Sequence, residues 1–402
     1  MRRPDPYRAP RSLPLCAAML ALAHPGAHAA SISFWNAPEG GAFQNAQNWS
    51  GASVPNVNDI AWFRLGGSYT VQVSSLVFSA GLVIGHDDVT FDLGNGTYVL
   101  SGDEPASLRL GVEPADHAML RVLNGRLETI DAEFGSDAAA SGTLRFSGAG
   151  ARFAPARRVL VGVFGDGRLV LENGARMTQI DPDAALRIGF GAGSTGVVEV
   201  RGGSSRISTQ TGINVGDAGA GTLRIESGAA VTSASGGVGL DAVGSGAVRI
   251  DGAGSRWIVG GEIVSGAHGG DASIALSQGG RIEAGAITLG AHSTLRFELG
   301  SPGLAAPVTV AGDASLGGAL EIGFAPGPTP TKGDVFDLLV AGAVDGAFAS
   351  VVFDDRGTAS LFRLDVLPDR VRLTVIPAPG VGLALAVCLG SVGAARRRRP
   401  GA

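Results

Sequence analysis

Along the middle of the chain, short apolar–polar–apolar triplets return at regular intervals. They read Leu120-Arg121-Val122, Leu144-Arg145-Phe146, Leu169-Val170-Leu171, Val198-Glu199-Val200, Leu223-Arg224-Ile225, Val248-Arg249-Ile250, Ile274-Ala275-Leu276 and Leu295-Arg296-Phe297. Apolar residues at i and i+2 that enclose a mostly polar residue have the two-residue period of a strand with one buried face, not the 3.6 period of a helix. The triplets are in phase with two series of glycines. A glycine closes an apolar run at Gly85, Gly111, Gly135, Gly162, Gly189, Gly216, Gly239, Gly266 and Gly290, at intervals of 23 to 27 residues. A second follows at Gly102, Gly125, Gly148, Gly174, Gly202, Gly228, Gly252, Gly279 and Gly300, and from the second repeat to the eighth its offset is only 12 to 14 residues. A period in this range marks stacked repeats, in which one unit cannot bury its own apolar face and its neighbours must cover it. Glycines between such short strands supply corners with positive φ. The expected structure is all-β: a right-handed parallel β-solenoid of about nine coils over residues 85–300, each coil contributing two or three short strands.

The flanks differ from the repeats. Residues 31–84 hold three of the four tryptophans, Trp35, Trp49 and Trp62, with Val54-Pro55 and Asp59 between the last two. They are the candidate glycan contacts, because clustered aromatics can stack on sugars. An N-terminal cap is the expected use, since an uncapped solenoid presents unpaired strand edges. Tyr69 to Val73 alternates as a strand that leads into the first anchor glycine. Residues 301–375 carry longer strand-like runs (Val308 to Val310, Phe336 to Val340, Ala349 to Phe353, Leu361 to Val366, Val371 to Val375), divided by a turn at Pro326 to Pro330, and read as a C-terminal β cap.

Composition agrees with an extended β architecture. Of 402 residues 64 are glycine, 45% are hydrophobic and only 17% are charged, too glycine-rich and helix-poor for an ordinary α/β enzyme. The periodic apolar positions argue against disorder. Formal charge is −5, and without the charged residues of the two termini it falls to about −12. A nucleic-acid partner is therefore not expected, since such binding rests on a positive surface. The two cysteines, Cys16 and Cys388, lie in the terminal apolar segments, so the body has neither a disulfide framework nor a thiolate metal site.

Both termini read as targeting segments. Residues 1–30 have Arg2, Arg3, Arg8 and Arg11 ahead of an apolar core from Leu13 to Ala23, and a small-residue Ala27-His28-Ala29 site. That is a secretory signal, with cleavage expected after Ala29 or Ala30. Lipidation of Cys16 is not expected, because Leu15 before it is large and the position falls inside the apolar core. At the other end, Ile376-Pro377-Ala378-Pro379 precedes sixteen uncharged residues, 380–395, and then Arg396, Arg397, Arg398 and Arg399. A helix of that length reaches about 24 Å, close to the ~30 Å of a bilayer core once flanking residues are counted. The arginines would stay cytoplasmic. Residues 376–402 are thus expected to tether an exported body by a C-terminal membrane helix, as a sorting tail that is later cut.

Candidate chemistry is sparse. Acid–base work on polysaccharides needs convergent carboxylates, and the candidates are His86 with Asp87 and Asp88, Asp181 with Asp183, and Asp354 with Asp355. Each is a short pair in an expected turn, where Asp is ordinary turn chemistry. His117, His268 and His292 lack metal-ligand spacing. Residues Gly236 to Gly244 fit one copy of a calcium-binding nonapeptide, but the nine residues on either side do not, and such sites need consecutive copies. The arginines enclosed in the triplets (121, 145, 224, 249 and 296) are expected to stack outward. Glu226, Asp251 and Glu298, two residues beyond Arg224, Arg249 and Arg296, point to a neutralised face rather than to an anion ladder. No enzyme, cofactor or metal site is expected.

The tail resembles the PEP-CTERM sorting signal of Gram-negative bacteria, with Ala378 in place of Glu in the Pro-Glu-Pro motif. The middle resembles the β-solenoid repeats of such proteins and of autotransporter passengers, as in Val215-Gly216-Asp217-Ala218-Gly219 and Gly252-Ala253-Gly254-Ser255-Arg256-Trp257. Trp49, Val54-Pro55 and Asp59 also look like the start of these proteins. The resemblance implies an exosortase-like processing enzyme alongside the export machinery and signal peptidase, and an association with exopolysaccharide or biofilm matrix at the cell surface. Self-export through a terminal translocator barrel is not expected. The alternatives are a carbohydrate-binding or carbohydrate-cleaving solenoid and a permanently membrane-anchored surface protein.

Overall fold

The computed structural model describes residues 31–102, 106–182, 184–326, 330–353 and 361–376. They wind into a parallel β-solenoid of about 12 turns. Apart from the short 3-10 segments Ala46–Asn48 and Ser50–Ala52, the regular elements are strands. A typical coil comprises a seven-residue strand, Thr195–Arg201, then Arg206–Thr209 and Gly212–Val215, after which the chain returns to start Ala220–Glu226. Three faces result. The first is a ladder of 13 strands running from Gly41–Ala42 to Ser350–Phe353. The second and third, built from the short strands, join into one 24-stranded sheet. In two coils the chain passes from second to third face without breaking, in the strands Arg256–Ser265 and Arg281–Leu289.

Register holds the coils together. Leu120, Leu144, Leu169, Val198, Leu223, Val248, Ile274, Leu295 and Leu320 are successive Cα partners on the first face. Two residues along, Val122, Phe146, Leu171, Val200, Ile225, Ile250, Leu276, Phe297 and Ile322 form a second column, and both columns are buried. Each apolar side chain is covered by its equivalents one coil above and below. A slip of one residue would turn every one of them to solvent.

The corners explain the glycines. Gly216 has φ +74, a left-handed conformation that costs an L residue with a side chain. A Cβ there would also lie 2.1 Å from the Ser245 carbonyl oxygen of the next coil. A further glycine column, Gly142, Gly167, Gly196, Gly221 and Gly246, fills the second position of the long strands. It seals the corner backbone to backbone, since a Cβ on Gly221 would stand 2.1 Å from the Gly216 nitrogen.

The parallel ladders extend beyond the stretch marked by paired glycines, so about 12 turns replace the nine expected. Ser31–Phe34 already pairs in parallel with Asp59–Phe63, and Ala319–Phe324 with Ser350–Phe353. The outer coils turn the same corner on left-handed glycines, Gly66 (φ +77), Gly318 (φ +64) and Gly346 (φ +79). At the far end Val335–Val340 pairs antiparallel with Arg370–Ile376, which pairs antiparallel with Leu361–Leu367. The reversed strands close that edge. The membrane helix expected at 380–395 lies outside the described residues. Among those described, no helix is long and apolar enough to cross a membrane.

Two outcomes follow from this packing. Leu223→Ala should cost about 2–5 kcal/mol through the cavity it leaves, whereas outward Arg249→Ala should stay within about 0.5 kcal/mol, as read from denaturant midpoints. In the closing strands, Asp337 accepts from Arg372 (Nε at 2.7 Å) and Arg370 (3.3 Å). The Arg372 hydrogen bond, against some desolvation and with the charges of both arginines, holds its carboxyl below the ordinary value of 3.8. A folded pKa below the unfolded one gives stability that is complete above the ordinary value and is lost as pH falls through the folded value. Protection of the amides in Arg370–Ile376, measured against their intrinsic exchange, should therefore fall as pH drops below about 4, and Asp337→Asn should remove most of that fall.

Candidate functional site

The three tryptophans do not form one platform. Trp35 and Trp49 are 1% and 2% exposed and meet edge to face at 5.0 Å. Phe43, Phe63, Tyr69, Phe91 and Tyr98 pack around them. Their indole N–H groups donate to the carbonyls of Ala37 and Phe43, each at 2.7 Å. Two buried rings with satisfied N–H groups leave no face for a sugar, and their placement is that of a plug in the open first coil. Trp62 is half-buried on the outer side beside Phe34, with the Arg64 guanidinium 6.0 Å from its ring.

The acidic and histidine candidates are dispersed. Asp87 is fully buried and accepts from the backbone N–H groups of Leu65, Gly66 and Gly67 and from the Tyr69 hydroxyl. It fixes a corner, and burial with that carboxylate alongside pushes the Tyr69 phenol above its ordinary range. His86 turns instead to Asp116 at 3.5 Å, and Asp88 pairs with Arg121. His117 meets Ser141 at 2.8 Å, and His292 stands 3.9 Å from Asp271. Asp181 occupies a turn; its companion Asp183, and Asp354 with Asp355, lie outside the described residues. In the nonapeptide-like stretch, Gly236 makes room for a neighbour: a Cβ there would meet the Trp257 ring at 2.6 Å. Among the described residues no group of three or more His, Cys, Asp or Glu is placed to hold a metal ion.

One shallow depression gathers residues from successive corners. Arg187 stacks over Phe190 at 4.9 Å and reaches Asp217 at 2.7 Å, with Asn214, Asp241 and His268 alongside. Burial, opposed by Arg187, raises the Asp217 pKa, and Asp241 adds to the rise.

Charge is arranged differently on two faces. On the first face the enclosed arginines do stack outward, but their partners come from adjacent coils rather than from two residues along the same strand. Arg145 pairs with Glu172 at 3.1 Å, Arg224 with Glu199 at 3.1 Å and Arg296 with Glu321 at 3.5 Å. Glu199, 0% exposed, also receives Arg168 at 2.7 Å and Arg201. Neighbouring coils lie about 4.8 Å apart, whereas i and i+2 on one strand are nearly 7 Å apart. Partners across the ladder, joined by Arg201 on Glu199's own strand, neutralise most of the face, with Arg249 outside these pairs among the described residues.

On the second face the register aligns a row that the triplets do not reveal. Arg126, Arg152, Arg176 and Arg206 are successive partners, Ala230 follows, and Arg256 and Arg281 complete it. The sequence holds a trace of it: Gly125-Arg126, Gly150-Ala151-Arg152, Gly174-Ala175-Arg176, Gly254-Ser255-Arg256 and Gly280-Arg281 each set an arginine just after a turn glycine.

The expected processing residues, Ala29, Ala30, Pro377, Ala378, Pro379 and Arg396 to Arg399, lie outside the described residues. The fold defines the class: a repeat protein of the parallel β-solenoid type. No protein-family model, curated protein or solved structure matches the chain.

The tryptophans should respond unequally to substitution. Trp49→Ala removes a buried ring from the plug and should cost about 3–5 kcal/mol, while Trp62→Ala should cost about 1 kcal/mol or less. Thermal and denaturant unfolding of the two variants reads the difference.

Proposed function

We propose that the chain is an exported, non-catalytic solenoid scaffold, structural or adhesive at the cell surface or in an extracellular matrix, and sorted through its C-terminal tail. The observation that carries this reading is the uninterrupted stacking of about 12 turns, combined with the use made of its acids and histidines. Asp87, Asp116, Asp131 and Glu199 are buried carboxylates engaged by corner N–H groups or by cations. Each holds neighbouring coils or a corner in place. That is the chemistry of a rigid spacer, and it needs neither cofactor nor metal.

The ends give the scaffold its route in this reading. Residues 1–30 direct export and are removed after Ala29 or Ala30; residues 376–402 hold the body at the inner membrane until an exosortase-like enzyme acts near Pro377-Ala378-Pro379. Mass spectrometry of the mature protein, with fractionation of the producing cells, tests this. The expected product starts at Ala30 or Ser31, lacks the arginine run and is recovered at the surface or in the medium. A product that keeps Arg396 to Arg399 in the membrane fraction supports permanent anchoring instead. An unprocessed N-terminus in the cytoplasm contradicts the proposal.

A further inference from the structure

The aligned arginines of the second face differ from those of the first in having almost no counter-charge. Arg126 pairs with Glu128 at 2.5 Å, and Arg152 donates to the Ala149 carbonyl at 2.7 Å. For Arg176, Arg206, Arg256 and Arg281 no carboxylate among the described residues stands at ion-pair distance, in contrast to Arg145, Arg168, Arg201 and Arg224 on the first face. Each begins its second-face strand and is exposed or half-buried. Six arginines over seven coils, one step apart at about 4.8 Å, make a straight row of about 29 Å. Like charges directly opposite on neighbouring strands destabilise a sheet. The buried residues between them, such as Met177, Ile207 and Trp257, account for the fold without any need for arginine at the outward positions.

Two further features lie along the row. The outward residues two positions on, in the middle coils, are Thr178, Ser208 and Thr232, short hydroxyl side chains that accept or donate hydrogen bonds. At its C-terminal end the row meets a cleft of about 540 Å³, where Glu283, Glu298 and Asp337 stand beside Arg256 and Arg281 and bring the basic surface to a close.

We propose that this row binds a linear acidic polysaccharide, whose carboxylate or sulfate groups engage successive guanidinium forks. Planar forks suit both anions. An extended sugar chain advances by about one coil spacing per residue, so a regular row of cations meets a regular row of anions. A single-stranded nucleic acid fits less well: its binding leans on aromatic stacking, and the outward positions of these seven strands carry no aromatic side chain, as at Arg176 and Thr178 or Arg206 and Ser208. This inference deepens the scaffold reading, since it names what the scaffold would hold, and rests on it only for where that polymer is met.

The test is binding of the purified protein to polygalacturonate and to heparin by calorimetry, with neutral dextran and poly(dT) as comparisons. Expected is binding to one or both acidic polysaccharides that weakens with salt, and none to dextran. Arg176→Gln with Arg206→Gln should weaken it by roughly tenfold or more, the double Lys replacement should lose less, and Arg224→Gln on the first face should leave it unchanged. Unfolding midpoints of all variants confirm that the coil stack is intact. Absence of binding to either acidic polymer overturns the inference, as does equal loss from the first-face variant, or tighter binding of poly(dT). Failure here leaves export and processing as found, whereas an unexported protein that still binds polygalacturonate would reject the scaffold reading alone.

Discussion

Every coil of this protein leaves an apolar column and a set of backbone hydrogen-bonding groups exposed until the next coil lands on it in register. That requirement, parallel in-register stacking at about 4.8 Å, governs the rest. It selects the Leu120-to-Leu320 and Val122-to-Ile322 columns of the first face, where any polar insertion would be sandwiched between apolar neighbours. It demands corners of constant shape, which Gly216 and Gly221 and their equivalents provide by contact of backbone on backbone. It also makes both ends a problem, because the first and last coils have a partner on one side only. The aromatic plug around Trp35 and Trp49 and the antiparallel Arg370–Ile376 strand are two different answers to that problem.

The same register that stacks apolar side chains also stacks charges. On the first face the result is a lattice of inter-coil ion pairs, in which Glu199 sits fully buried among Arg168, Arg201 and Arg224. A buried carboxylate is tolerable only with such company. On the second face an equally regular row of arginines runs past hydroxyl side chains in its middle coils, with Glu128 and Glu283 beside its two ends. A surface that neutralises one face and leaves the other basic has two different faces to offer, even though the chain as a whole carries net charge −5.

Much of the architecture was legible because period and glycine phase are local properties. The triplet Leu223-Arg224-Ile225 declares a half-buried strand by itself, and Gly216 and Gly228 bracket it. The C-terminal runs Val308–Val310 and Leu361–Leu367 also emerge close to their expected limits. What escaped was whatever depends on distances between coils. Arg224 has Glu226 two residues along, yet it bonds Glu199 of the preceding coil, its direct partner across the ladder, while Arg201 reaches both Glu199 and Glu226. The arginine row of the second face belongs to strands with one arginine each; the turn glycines ahead of them leave a trace in the sequence, but the register is what aligns them. The additional coils were hidden because their spacing departs from that of the middle repeats, although Gly66, Gly318 and Gly346 still turn their corners.

In-register stacking fixes the distance between coils along any one column. Thr178, Ser208, Thr232, Ile258 and Glu283 are successive partners on the second face, which sets Thr178 and Glu283 four coils apart. Spin labels on Thr178→Cys and Glu283→Cys, with Cys16 and Cys388 replaced, should give a single narrow distance by double electron–electron resonance. Its backbone component should be about 19 Å, broadened only by the label linkers. A broad distribution, or a distance far beyond that span, would mean that the coils do not stack in register, and the plug, the neutralised face and the arginine row would lose their common basis.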